Sequence, residues 1–177
     1  DVNLEITLKE LDHAESRVDF YLIVSRFLAT VGGSHSFLYP FKPIEWGPSL
    51  PIDIAWVGSK AYVVQSTRKE LLYSQILAIN RMPIGLFEKK VNAFLSVDEG
   101  NPGYLRRYPG GNRSLMTRFA VLKLLGYHGK SAAIAYTKNG TEKKLDLSFS
   151  EDEPLPLANF CRNSITRVRD GNHWQSV

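Results

Sequence analysis

Asn139 and Gly140 stand between two runs of alternating residues, with Ile134 and Tyr136 before them and Leu145, Leu147 and Phe149 after. A two-residue loop between paired strands needs positive φ at both positions, which asparagine and glycine accept most readily. This stretch predicts an antiparallel hairpin, so the chain must build a sheet of that kind. A second hairpin is expected where Ile52, Ile54 and Trp56 alternate with Asp53 and Ala55, turn at Gly58 and Ser59, and return through Ala61, Tyr62, Val63, Val64 and Gln65. Ile76, Leu77, Ala78 and Ile79 read as a short apolar strand that ends in the turn Asn80, Arg81, Met82, Pro83.

Between these strands the apolar period changes from two to 3.6. From Asp19 to Val31, Phe20, Ile23, Val24, Phe27, Leu28 and Val31 recur at the spacing of one helical face, with Asp19 capping or flanking the start and Gly32 or Gly33 closing the end. A helix beginning near Gly85 would place Phe87, Val91, Phe94 and Leu95 on one side, and Asn112 can cap another over residues 113–125, closed by Gly126. Phe20, Phe27, Phe87 and Phe94 are expected in the core.

Residues 39–51 carry Pro40, Pro43, Pro48, Pro51 and Gly47, which deny a regular helix or central strand and predict a linker. After Ser150 the pattern degrades into Glu151, Asp152, Glu153, Pro154 and Pro156. The expected organisation is α+β. It comprises a helical segment over 1–38, a linker over 39–51, a β-rich domain over 52–149 with a helical insert at about 101–127, and a connector over 150–177.

Of the 177 residues, 44% are apolar and 23% charged, which excludes disordered and fibrous classes. The net charge of +4 comes from lysines and arginines spread along the chain, so no nucleic-acid footprint is expected; Arg106, Arg107, Arg113 and Arg118 in the insert read as a solvated face. Cys161 is the single cysteine, which rules out an internal disulfide, and no apolar run reaches membrane-spanning length. The chain opens on Asp1, the start expected of a processed or trimmed product. His13, His128 and His173 lack metal-ligand spacing, so neither a metal nor a cofactor is expected.

His35 is the one residue whose setting suggests chemistry. It lies between Ser34 and Ser36, just past the glycines that end the helix. An imidazole with a pKa of about 6.5 accepts a hydroxyl proton at neutral pH when a third group orients its second nitrogen. The negative end of a helix dipole strengthens it as a base. Ser34 and Ser36 read as turn formers rather than nucleophiles.

The run Gln75, Ile76, Leu77, Ala78, Ile79, Asn80, Arg81, Met82, Pro83, Ile84 resembles the strand and turn of bacterial PDZ-like domains. Together with the helix before it, the histidine turn and the closing hairpin, it makes residues 15–150 similar to the N-terminal part of a secreted serine peptidase of the C-terminal-processing and tricorn type. The resemblance implies a PDZ-like, partly open β-barrel with two helices after the helical segment. It implies His35 as general base, with the serine nucleophile supplied by a C-terminal catalytic domain that residues 150–177 are too few to build. It further implies a polypeptide substrate and a secreted, periplasmic or cell-envelope location, with this chain inactive alone.

The sequence departs from the pattern at two places. Pro48 and Pro51 remove two backbone donors before the first strand, which counts against capture of a peptide's terminal carboxylate; Arg81 stands where the turn usually has glycine. The alternative reading is a non-enzymatic peptide-binding or interaction module of an inactive peptidase relative.

Overall fold

A computed structural model describes residues 2–32, 36, 38, 45–96, 105–106, 115–151, 167–170 and 173–176. Two helices open the chain, α1 (Val2–Leu11) and α2 (Arg17–Val31). They are followed by β1 (Ile52–Val57), β2 (Lys60–Ser66), β3 (Gln75–Ile79), β4 (Met82–Pro83), α3 (Ile84–Asn92), α4 (Phe119–Leu124), β5 (Ser131–Lys138) and β6 (Thr141–Ser148). The architecture is α+β, as expected. The six strands form one antiparallel sheet in the order β1-β2-β3-β5-β6, with β4 beside β3.

Turn chemistry sets the register. Asn139 and Gly140 both take positive φ, 53° and 75°, so β5 and β6 pair without slip from Lys138↔Thr141 to Ser131↔Ser148. Asn80 and Arg81 repeat this conformation between β3 and β4, at φ 49° and 66°. Asn80 is also the sheet's internal rivet, since its N–H donates to Ala133 O at 2.8 Å and its Oδ1 accepts from Ala133 N–H at 2.9 Å.

One face of the sheet carries Ile52, Ile54, Ala61, Val63, Ile76, Ile79, Ala132, Ile134 and Leu147 into a common core. A bulge between Ile76 and Ala78 lets residues three apart both point inward, a spacing that strict alternation forbids. Phe87, Val91 and Phe94 from α3 and Val121 and Leu122 from α4 fill the same core. β1 and β6 are the sheet's edges and do not pair, so no closed barrel forms. A single bridge, with the N–H and C=O of Ser49 both bonded to Ser150, ties the chain before β1 to the chain after β6.

Four expectations are corrected. Ser16, not Asp19, caps α2: its Oγ accepts from Asp19 N–H, and the Asp19 carboxylate accepts from Glu15 N–H in return. The buried face of α2 is therefore Val18, Asp19, Leu22 and Ile23, leaving Phe20 51% and Val31 65% exposed. The helix expected over 113–125 is broken at residues 116–118, where Arg118 adopts extended backbone and bridges Ser49, so α4 begins at Phe119; Asn112 lies outside the described residues. Within the expected connector, β7 (Arg167–Asp170) and β8 (His173–Ser176) form an antiparallel pair. α1 falls within the helical segment expected over 1–38.

Candidate functional site

His35 and Ser34 lie outside the described residues, as do Arg107 and Arg113. What is described is the helix that leads to His35 and how it is held. α2 ends at Gly32, whose φ of 81° breaks the helical path. Four residues on, the Ser36 hydroxyl donates to Gly32 O at 2.9 Å and links the two sides of the segment that contains His35.

Upstream, α2 is built into the sheet's own core. Val18 and Leu22 belong to the same buried cluster as Ile54, Ile76 and Ile134. Tyr21 meets Trp46 edge-to-face at 5.8 Å, and Arg26 lies 5.5 Å from the centre of the Phe94 ring. The Lys123 ammonium of α4 reaches Glu15 at 2.6 Å and Asp19 at 3.4 Å, and the hydrogen bond to Glu15 holds its pKa above the usual lysine value. Near the other end of the helix, Ser96 Oγ donates to Leu28 O at 3.4 Å. Apolar packing, ring contacts and ion pairs thus attach α2 to the sheet domain along most of its length.

The stretch before β1, where a PDZ-like domain would hold a terminal carboxylate, is closed by its own hydrogen bonds. Pro48 and Pro51 have no N–H. Ser49 N–H donates to Ser150 O, Leu50 N–H to Thr117 O, and Ile52 N–H to Leu50 O, at 2.8–2.9 Å. Ser49 and Leu50 are buried at 1% and 0% exposure. No amide from Pro48 to Ile52 is left to bind an anion.

The free edge of β1 is also blunted. Val63 directs both backbone groups to Tyr73 and Ser74, so the facing residue Ile54 turns its own N–H outward, and there Asp53 Oδ1 accepts it at 2.8 Å. Beyond Ile54 the edge reaches Trp56, whose ring is covered by the Arg106 guanidinium at 4.2 Å. Arg106 binds both oxygens of Glu88 on α3, at 2.5 and 2.7 Å, and donates to Gly58 O at 2.9 Å. The Glu88 hydrogen bond holds Arg106 above the usual arginine pKa. The buried indole Nε1 of Trp56 has no hydrogen-bond partner among the described residues.

The solvated reading of the insert arginines is corrected for Arg106, which is a stitch between α3 and the β1–β2 turn. Sequence reasoning missed it because nothing in the spacing of residues 56, 58, 88 and 106 links them. Arg118 lies 5.9 Å from the Trp46 ring. His13 follows α1, donating its N–H to Glu10 O, and His128 lies in the turn before β5. Among the described residues no three His, Cys, Asp or Glu side chains come close enough to hold a metal ion, and no helix is long and apolar enough to cross a membrane. No family model and no curated protein matches the chain.

Proposed function

We propose that this chain is the N-terminal and PDZ-like part of a serine endopeptidase of the C-terminal-processing type, bringing His35 as general base to a serine supplied by a C-terminal catalytic domain. The observation that carries this reading is the anchoring of α2. A general base must be held within hydrogen-bond reach of its nucleophile to be useful. Here the helix ending at Val31, four residues before His35, shares the core of the sheet domain.

In this reading the sheet domain positions polypeptide substrate near the site without gripping its end. The engaged amides of Ser49, Leu50 and Ile52 leave no pocket for a terminal carboxylate. Selection then falls on internal segments, and secretion or a cell-envelope location follows from the same resemblance.

The test is fluorophosphonate labelling of the full-length gene product and of its His35→Ala variant. The proposal expects labelling to fall by about 10³-fold or more in the variant, the scale of losing a triad base. Equal labelling and equal peptide hydrolysis in the two would sink it.

One observation favours the second reading, an interaction module of an inactive relative. The strand edge and the preceding loop are both closed by the chain itself, as suits a scaffold that has lost ligand capture. Absence of labelling in the full-length wild type, with no serine nucleophile encoded after Val177, would favour it.

A further inference from the structure

Tyr73 combines two properties that seldom coincide. Its backbone takes φ 62°, a left-handed conformation that is strained for a non-glycine residue, and its side chain is 75% exposed. Nothing gained by burial offsets the strain. The turn around it is nonetheless tightly fixed. Tyr73 N–H donates to Val63 O at 2.8 Å and Val63 N–H to Ser74 O at 3.0 Å, while the fully buried Ser74 hydroxyl donates to Leu71 O at 2.6 Å. The backbone is held so that the ring projects.

The ring projects beside an open groove of about 620 Å³ on the sheet face opposite the core. Register places Tyr62, Gln75 and Thr137 side by side across β2, β3 and β5, and these three form its floor, spanning about 10 Å. Among the described residues no protein group hydrogen-bonds the Tyr62 phenol, the Gln75 amide or the Thr137 hydroxyl. Leu72 and Tyr73 make one wall and the Asn139, Gly140 turn the other.

Among the described residues, the charged side chains lining the groove are Lys69 and Lys138. Lys138 Nζ donates to Glu70 O at 2.9 Å and so is fixed at the rim. The neighbouring Glu70 carboxylate is held by Arg68 at 2.9 Å, and Glu142, across the strand from Thr137, does not line the groove. Neither acid cancels the positive rim from inside.

We infer that this groove is a docking site for an acidic polypeptide segment, with an aliphatic side chain packed against Leu72 and Tyr73 and its carboxylates on Lys69 and Lys138. Exposed tyrosine is the residue type that most often anchors such contacts, and the unbonded amide, hydroxyl and phenol suit a peptide backbone. The match of charge commits the site to an acidic partner. It lies on the sheet face opposite the core and does not depend on the peptidase reading.

The test uses the full chain and two nine-residue peptides, one with glutamates flanking a central leucine and one with lysines in their place, followed by NMR amide shifts. The acidic peptide is expected to move Tyr62, Tyr73, Gln75 and Thr137 at up to about 1 mM, a weak affinity suited to one small groove. Tyr73→Gly relieves the strained φ, so it should match or exceed the wild-type melting temperature while binding at least about tenfold more weakly. Lys69→Glu should weaken binding and its salt dependence together. No shift with the acidic peptide, equal binding by Tyr73→Gly, or equal binding of the lysine peptide would each overturn the site. Shifts produced by a sulfated disaccharide but not by the acidic peptide would overturn its assignment to polypeptide.

Discussion

The two N-terminal helices are neighbours in sequence and contact one another, yet they belong to the molecule in different ways. α2 places Val18 and Leu22 in the sheet's core, whereas α1 leaves Leu4, Ile6 and Leu8 about half exposed and, among the described side chains, buries only Thr7. Spacing alone does not separate them, since Leu4 and Leu8 in α1 are four apart just as Val18 and Leu22 are in α2. The partner does: α2 meets the sheet's core, whereas α1 contacts α2 and leaves Leu4 and Leu8 about half exposed. In this sense α1 is an appendage and α2 a structural member.

Leucine truncation should separate the two most strongly. Leu22, 1% exposed, should lose about 3–4 kcal/mol when replaced by alanine, while Leu8→Ala, at 53% exposure, should change denaturant stability by less than about 0.5 kcal/mol. Equal losses would erase the distinction.

Ion pairs offer a second contrast. Glu88→Gln removes the charge from a side chain 10% exposed and leaves Arg106 stacked on Trp56 with its main partner weakened, for a loss of about 2 kcal/mol in urea unfolding. The pair between Arg26 and Glu10, which joins α2 to α1, is 28% and 36% exposed, so Glu10→Gln should cost only about 0.5 kcal/mol. A larger effect at Glu10 than at Glu88 would make α1 part of the core unit.

Strain in the sheet domain gives a smaller effect of opposite sign. Arg81 sits at φ 66° in the β3–β4 turn, and Arg81→Gly should raise the unfolding free energy by about 0.5–1 kcal/mol. A fall would mean that the arginine side chain contributes more than its backbone costs.

The smallest effect tests the tie between α4 and the start of α2. Lys123 has a folded pKa raised by Glu15 and Asp19, so its contribution is fully present below the unfolded lysine value of about 10.4 and fades as pH rises through the folded value above it. The stability gap between wild type and Lys123→Met, about 0.5 kcal/mol at pH 8, should close as pH rises through the folded value. A constant gap would assign the effect to the alkyl stem.

What the sequence made legible follows the range of each signal. The Asn139, Gly140 turn, the Ile52 to Gln65 hairpin, the strand at Ile76 and the helix near Gly85 all rest on local rules, and each formed where expected. The rotated face of α2 and the shortened α4 depend on partners distant in sequence, the sheet core for Leu22 and Ser49 for Arg118. α1 lies inside the helical segment expected over 1–38, although only the second helix there has bounds readable from its apolar spacing. At the candidate site, the loss of donors at Pro48 and Pro51 was readable, but the use of the Ser49 and Leu50 amides by Ser150 and Thr117 joins residues far apart in sequence and could be seen only in the fold.

The account depends above all on α2 unfolding with the sheet domain, since this is what fixes the chain leading to His35. Native-state hydrogen exchange measures it directly. The prediction is that α2 amides from Leu22 to Phe27 exchange with the same opening free energy as Ile76 in β3 and Ile134 in β5, while α1 amides open at least about a thousandfold more readily. If α2 instead exchanges with α1, ahead of the sheet, the helix is no anchor and the proposed role of His35 loses its support.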